Sequence, residues 1–217
     1  MTVVFTNLNI KYGNSHIYFV NIFAKTTMTY SSNPHFTSKQ LQVIYGTMLG
    51  GSSIVKPLMG KNSYLSMRNK NKLYLAYKVS ELECLFKTED SVIKKDKNTF
   101  RCFSVSYPIF NDLYGQFYNK NLRIIKDEIL DSLTHVSWMI WFLDCGKKFN
   151  NKARLRTSHL GLDNTKKIKN YFDSLDFSCE IIKLGTRTAI EFKKDVFEKY
   201  IGTFFSLVPK FMLTDVV

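Results

Sequence analysis

Two apolar helical segments, each closed by glycine and followed by the same order of further segments, constrain this chain more than any other feature. In the first, Thr37 or Ser38 suits an N-cap, Leu41, Ile44, Tyr45, Met48 and Leu49 recur at helical spacing, and Gly50-Gly51 ends the run. In the second, Thr134 or His135 starts a helix through Trp138, Trp141, Phe142 and Leu143 that stops at Gly146. After the first come a strand at Tyr64–Arg68, a helix at Leu73–Phe86, a strand at Thr99–Tyr107 stopped by Pro108, and a helix at Ile109–Tyr118. A short helix at Asp127–Leu133 leads into the second. It is followed by a strand at Ala153–Ser158, a helix at Asn164–Leu175, a hairpin of Cys179–Lys183 with Thr188–Phe192, and a helix at Val196–Phe205. A layout that recurs after about ninety-five residues, from Gly50 to Asp144, favours a pseudo-twofold molecule.

The chain therefore reads as an α+β protein. Residues 1–36 form an extension with a short strand or two, 37–120 a first half and 121–217 a second. The extension turns polar at Ser31-Ser32-Asn33-Pro34 and lacks Arg, which makes it a weak match to a transit peptide.

Charge narrows the partner. The 217 residues carry a net charge of +13, unevenly spread. Residues 1–80 hold nine Lys/Arg and no Asp or Glu, whereas the remaining 137 hold 22 and 18. A long stretch without carboxylates suits a phosphate-lined partner, because each carboxylate would be repelled. Phe, Tyr, Ile, Lys and Asn are abundant, as AT-rich codons favour, which hints at an organellar genome. Cys84, Cys102, Cys145 and Cys179 show no CxxC spacing, so they read as reduced thiols rather than a zinc site. No apolar run approaches the roughly 20 residues of a membrane span, and no membrane partner is expected. The four histidines form no motif, and His135 reads as a structural helix-start residue.

At motif level, LQVIYGTMLGGSSI (41–54) and WMIWFLDCGKK (138–148) resemble the two signature helices of LAGLIDADG homing endonucleases of the intron-encoded, single-chain type. The flanking stretches IIKDEILDSLTHVSW (124–138), ARLRTSHLGLDNTKKIKNYF (153–172), CEIIK (179–183) and PKFML (209–213) fit the same family in order and spacing. So do YLSMRNKNKLYLAYKVSELECL and FRCFSVSYPIFNDLYGQFY in the first half, and the resemblance spans about residues 39–214. It implies two pseudo-symmetric αββαββα halves, each with a curved antiparallel sheet over a nucleic-acid groove, in a monomer. The two signature helices pack face to face, and Gly46 and Gly50 supply the small residues this requires.

In the family an Asp near each helix end holds Mg²⁺ for strand cleavage. By the resemblance those positions fall on Gly51 and Cys145, with Asp144 a remnant one residue early and Met139 where a small residue is usual. The implied protein binds nucleic acid, RNA in preference to DNA, and has lost cutting: an intron maturase or an organellar ribosome-associated RNA binder, in the mitochondrion or another organelle. It needs no cofactor. The alternative is an active Mg²⁺-dependent endonuclease whose metal site has moved to Asp144 with Glu180 or Glu191. Candidate nucleic-acid contacts are Lys56, Ser66, Arg68, Lys70, Arg101, Lys147, Lys148, Lys152, Arg154, Arg156, Lys183 and Arg187.

Overall fold

A computed structural model describes residues 34–86, 93–149 and 151–215. The strands expected in the extension fall outside the described residues. Helix α1 (Ser38–Leu49) opens on a capping box in which the Thr37 hydroxyl accepts from Gln40 N–H and the Gln40 side chain accepts from Thr37 N–H. It stops at Gly50, and Gly51 takes φ +105°, a conformation that disfavours side chains. Strands β1 (Ser53–Val55) and β2 (Tyr64–Asn69), helix α2 (Lys72–Glu81), strands β3 (Lys94–Asp96) and β4 (Thr99–Phe103), and helix α3 (Ile109–Phe117) follow.

A two-strand ribbon, β5 (Tyr118–Asn119) with β6 (Leu122–Arg123), and the short α4 (Asp127–Asp131) lead to α5 (His135–Cys145). The second series runs β7 (Gly146–Phe149), β8 (Lys152–Arg156), α6 (Leu162–Ser174), β9 (Cys179–Leu184), β10 (Arg187–Lys193) and α7 (Lys194–Gly202). The sheets are ordered β1-β2-β4-β3 and β7-β8-β10-β9, both antiparallel throughout. Identical order after the same sequence of elements is the expected pseudo-twofold.

Each sheet buries one face. Leu65, Met67 and Cys102 point inward from β2 and β4, as do Ala153, Leu155, Ile190 and Phe192 from β8 and β10. In the second half the helices close over an aromatic cluster around Tyr200, whose ring lies 5.1–5.8 Å from Trp138, Phe172, Phe177, Phe192 and Phe204. Six aromatic rings meet there, in the tilted, stacked and edge-on arrangements such rings favour.

Two sequence expectations change. The helix expected over 73–86 stops at Glu81 and passes through Leu82 into a 3-10 turn at Glu83–Leu85, yet Leu75, Val79, Leu82, Leu85 and Phe86 are all buried as the spacing required. The strand expected to reach Tyr107 leaves the ladder after Phe103. Ser104 N–H then donates to Leu65 O, and Val105 N–H to Leu85 O. Strands β1, β3 and β7 were not legible, being three or four residues long.

Candidate nucleic-acid interface and the ends of the paired helices

α1 lies along α5, and glycine sets how closely. A Cβ on Gly46 would fall 2.5 Å from Ser137 O, and one on Gly50 would fall 2.4 Å from Asp144 Cβ and Oδ2. Both glycines come from the α1 side, Gly46 within the helix and Gly50 at its cap, and Ser137, Ile140 and Asp144 fill the space from α5. Met139 is buried without being the residue that faces these glycines.

Asp144 is the unexpected member. Its side chain is 4% exposed, and Lys78 of α2, fully buried, reaches it with Nζ 2.7 Å from Oδ1 and 2.9 Å from Oδ2. Asn69 Nδ2 donates at 3.4 Å, and the Tyr74 ring lies 4.9 Å below the ammonium. Burial pushes the carboxyl's pKa up, and Lys78 opposes that rise. Asp144 is thus consumed by an internal ion pair and does not turn toward the helix end.

Cations and carbonyls meet at the end of α1. The Arg123 guanidinium donates to Met48 O at 2.7 Å, a carbonyl the helix leaves open, and also to Ser52 O and to the Tyr118 hydroxyl. His159 Nε2 lies 2.8 Å from Leu49 O; because a carbonyl only accepts, Nε2 carries the proton. Its Nδ1 is buried without a partner among the described residues, and burial lowers the ring's pKa to about 4, so the imidazole is neutral near pH 7.

At the end of α5 the Cys145 thiol turns back toward Trp141 O at 3.4 Å. Burial, and then the nearby Asp144, raise its pKa far above the ordinary thiol value, so it stays protonated.

Magnesium is a hard cation that takes several oxygen ligands. Gly51 offers no side chain, Cys145 offers a protonated thiol, and both Asp144 oxygens are held by Lys78. These residues do not fit the ion. Among the described residues no group of three or more His, Cys, Asp or Glu is placed to hold a metal.

The open faces of the sheets carry the basic residues. In the first sheet Arg68, Arg101 and Lys94 stand in one row across β2, β4 and β3. Asp96 binds both guanidiniums, Arg68 at 2.5 Å and Arg101 at 2.8 Å. In the second, Lys147 faces Arg154, which faces Glu191. Glu191 binds Lys152 at 3.0 Å and Arg154 at 2.6 Å, and these cations hold its pKa down against desolvation, the largest single influence. Each half therefore places one carboxylate between two cations. Phe103 and Phe149 join these faces, with Arg101 5.7 Å from the first ring and Arg154 4.6 Å from the second.

A profile of the LAGLIDADG DNA endonuclease family matches residues 41–200. The chain belongs to that family. Among solved structures, the LAGLIDADG fold here is similar to the homing endonuclease I-WcaI bound to its DNA recognition sequence. The TM-score is 0.73 at 19% identity, over 85% of this chain and 88% of that one. It is also similar to I-DmoI in complex with DNA and Mn, with a TM-score of 0.54 at 11% identity over 78% of this chain and 97% of that one. A curated relative, the cytochrome b mRNA maturase bI2 of Debaryomyces hansenii, is 22% identical over 166 residues, 71% of this chain. The chain spans 63% of that relative's length.

Within the LAGLIDADG frame, the expected contacts separate. Ser66, Arg68, Arg101, Lys147, Lys152, Arg154, Arg156 and Arg187 share the open faces. Lys183 and Lys148 do not: Lys183 pairs with Thr188 and Lys148 with Ala153, on the side of the pleat that carries the core. The reason is the period of two, which moves a strand residue to the opposite face with each step. Lys56 and Lys70 are exposed just outside the ladder, after β1 and β2. Of the residues named for a relocated metal site, Asp144 is held by Lys78 and Glu191 by Lys152 and Arg154, while Glu180 stands beside Glu191 on β9. Sequence reasoning missed Lys78, Asp96, Arg123 and His159. Lys78 left a signal: it sits between Leu75 and Val79 on the buried face of α2, where a lysine needs a partner.

Proposed function

We propose that this chain is a LAGLIDADG protein that holds nucleic acid without cutting it, with RNA favoured over DNA, in the manner of an intron maturase or an organellar ribosome-associated RNA binder. The observation that carries the reading is the buried Lys78–Asp144 pair beneath Gly50, with Gly51 and Cys145 at the helix ends. It removes the carboxylates a metal needs and leaves the basic open faces, whose attraction to phosphate is independent of any metal. RNA is favoured because loss of cutting ends homing but not a splicing or scaffolding role, and because the curated relative is named as an mRNA maturase. The same name and the AT-favoured composition support a mitochondrion or other organelle. The contacts proposed are the open-face cations, with Lys56 and Lys70 at their margins.

The alternative, a DNA endonuclease, draws on the likeness to structures solved with DNA. Two measurements separate the readings. Nucleic acid crosslinked to the native protein is expected to be intron or ribosomal RNA. Incubation with Mg²⁺ or Mn²⁺ and DNA carrying the uninterrupted insertion site is expected to leave the DNA intact. Specific cuts with short 3′ overhangs, abolished by Asp144→Asn, would establish the endonuclease instead.

A further inference from the structure

Beside Cys145, the end of α5 opens into a cleft of about 300 Å³ lined by Lys147, Phe149, Arg154, Arg156 and Arg187. Arg154 is engaged by Glu191. Among the described residues, Lys147, Arg156 and Arg187 stand in no salt bridge. Arg156 faces the small Ala189 across the ladder, which leaves room over the sheet at that point. Asp144 borders the cleft, but its carboxylate is turned to Lys78, and the Cys145 thiol is protonated. Three cations thus line a concavity in which no free carboxylate opposes them.

We propose that this cleft seats a backbone phosphate of the nucleic acid directly, with Lys147, Arg156 and Arg187 taking the charge-neutralising place that a divalent ion holds in cutting relatives. The assignment rests on the reading that the chain binds nucleic acid. Guanidinium groups bind phosphate oxygens through paired N–H donors. Unlike a metal, they neither need carboxylates to hold them nor lower the pKa of a bound water. The partial negative charge at the end of α5, about half an electron, is outweighed by three full cations. The seat is one-sided. At the end of α1, Arg123 is spent on Met48 O and Ser52 O, His159 is neutral, and Arg68 is paired with Asp96. One half grips a phosphate at its helix end and the other does not.

The test measures Kd for a labelled RNA hairpin, and for a DNA duplex of the same sequence, across a KCl series. Each series is run in EDTA and in Mg²⁺ at matched ionic strength. The unaltered protein is expected to bind equally well with and without Mg²⁺. Arg156→Gln/Arg187→Gln is expected to weaken binding about tenfold near 0.1 M salt and to flatten the log–log salt slope by about one. Lys126→Gln/Lys166→Gln, which removes two exposed cations from the helical side, should change the slope by less than half as much. Cys145→Asp, which puts an acid in the cleft, should weaken binding in EDTA, and the exposed single change Arg187→Gln guards against misfolding. Affinity that requires Mg²⁺ at matched ionic strength overturns the seat. So does an Arg156/Arg187 slope equal to that of the helical-side pair. If the unaltered protein binds neither probe at any salt, the nucleic-acid reading itself fails.

Discussion

Lys78 and Asp144 come from opposite halves of the molecule and meet 2.7 Å apart in its interior, the lysine fully enclosed. Removing one partner strands the other charge away from water. Lys78→Met or Asp144→Leu alone should cost about 3–5 kcal/mol, whereas the double change should recover most of that loss. Urea denaturation of the three variants gives the coupling. Additive losses would mean that the pair contributes no interaction.

Gly50 gives the same site a steric reading. A methyl there overlaps Asp144 Cβ at 2.4 Å, so Gly50→Ala should destabilise by roughly 1–3 kcal/mol. In a Lys78→Met/Asp144→Gly background, which removes that Cβ as well as the carboxylate, the methyl has space, and the penalty should largely vanish. A constant penalty in both backgrounds, by thermal melting, would place the clash elsewhere.

His159 ties stability to pH. Its folded pKa, about 4, lies below the ordinary value of 6.5, so the folded protein resists protonation more than the unfolded chain does. The stabilisation is complete above pH 6.5 and is lost as pH falls through 4, to a total of roughly 3 kcal/mol. His159→Gln, able to donate to Leu49 O in its place, should flatten the pH dependence of the urea midpoint over that window. An unchanged profile would remove His159 as its source.

Asp96 and Glu191 temper the cations they bridge. Asp96→Asn frees Arg68 and Arg101, so binding to any duplex at low salt should tighten severalfold and its salt slope should steepen. Discrimination between related sequences should fall, because guanidiniums released from a fixed partner lose their orientation. Competition binding with cognate and scrambled targets measures both, and unchanged selectivity would show that Asp96 orients nothing.

The periodic parts of this architecture were readable from sequence, and the reason is repetition. The spacing Leu41, Ile44, Met48 and its counterpart at Trp138, Trp141, Phe142 placed both central helices within a residue or two, with their caps at Thr37 and Thr134. Short strands such as Ser53–Val55 carry too few residues to show an alternation. At the site, composition announced the absence of acids before Glu81 but not where Asp144 points. That depends on Gly50 and Lys78, which lie 94 and 66 residues away in sequence and touch Asp144 only in the fold. Arg123 and His159 were silent for the same reason: each reaches a main-chain carbonyl of the last turn of α1, Met48 O or Leu49 O, which no side-chain pattern encodes.

The shared ion pair also bears on how such proteins can be recombined. A chimaera that joins either half to one lacking the matching residue inherits either an ammonium or a carboxylate with nothing buried opposite it. Domain shuffling, open to a two-part molecule whose seam is apolar, is closed to this one unless both seam residues travel together.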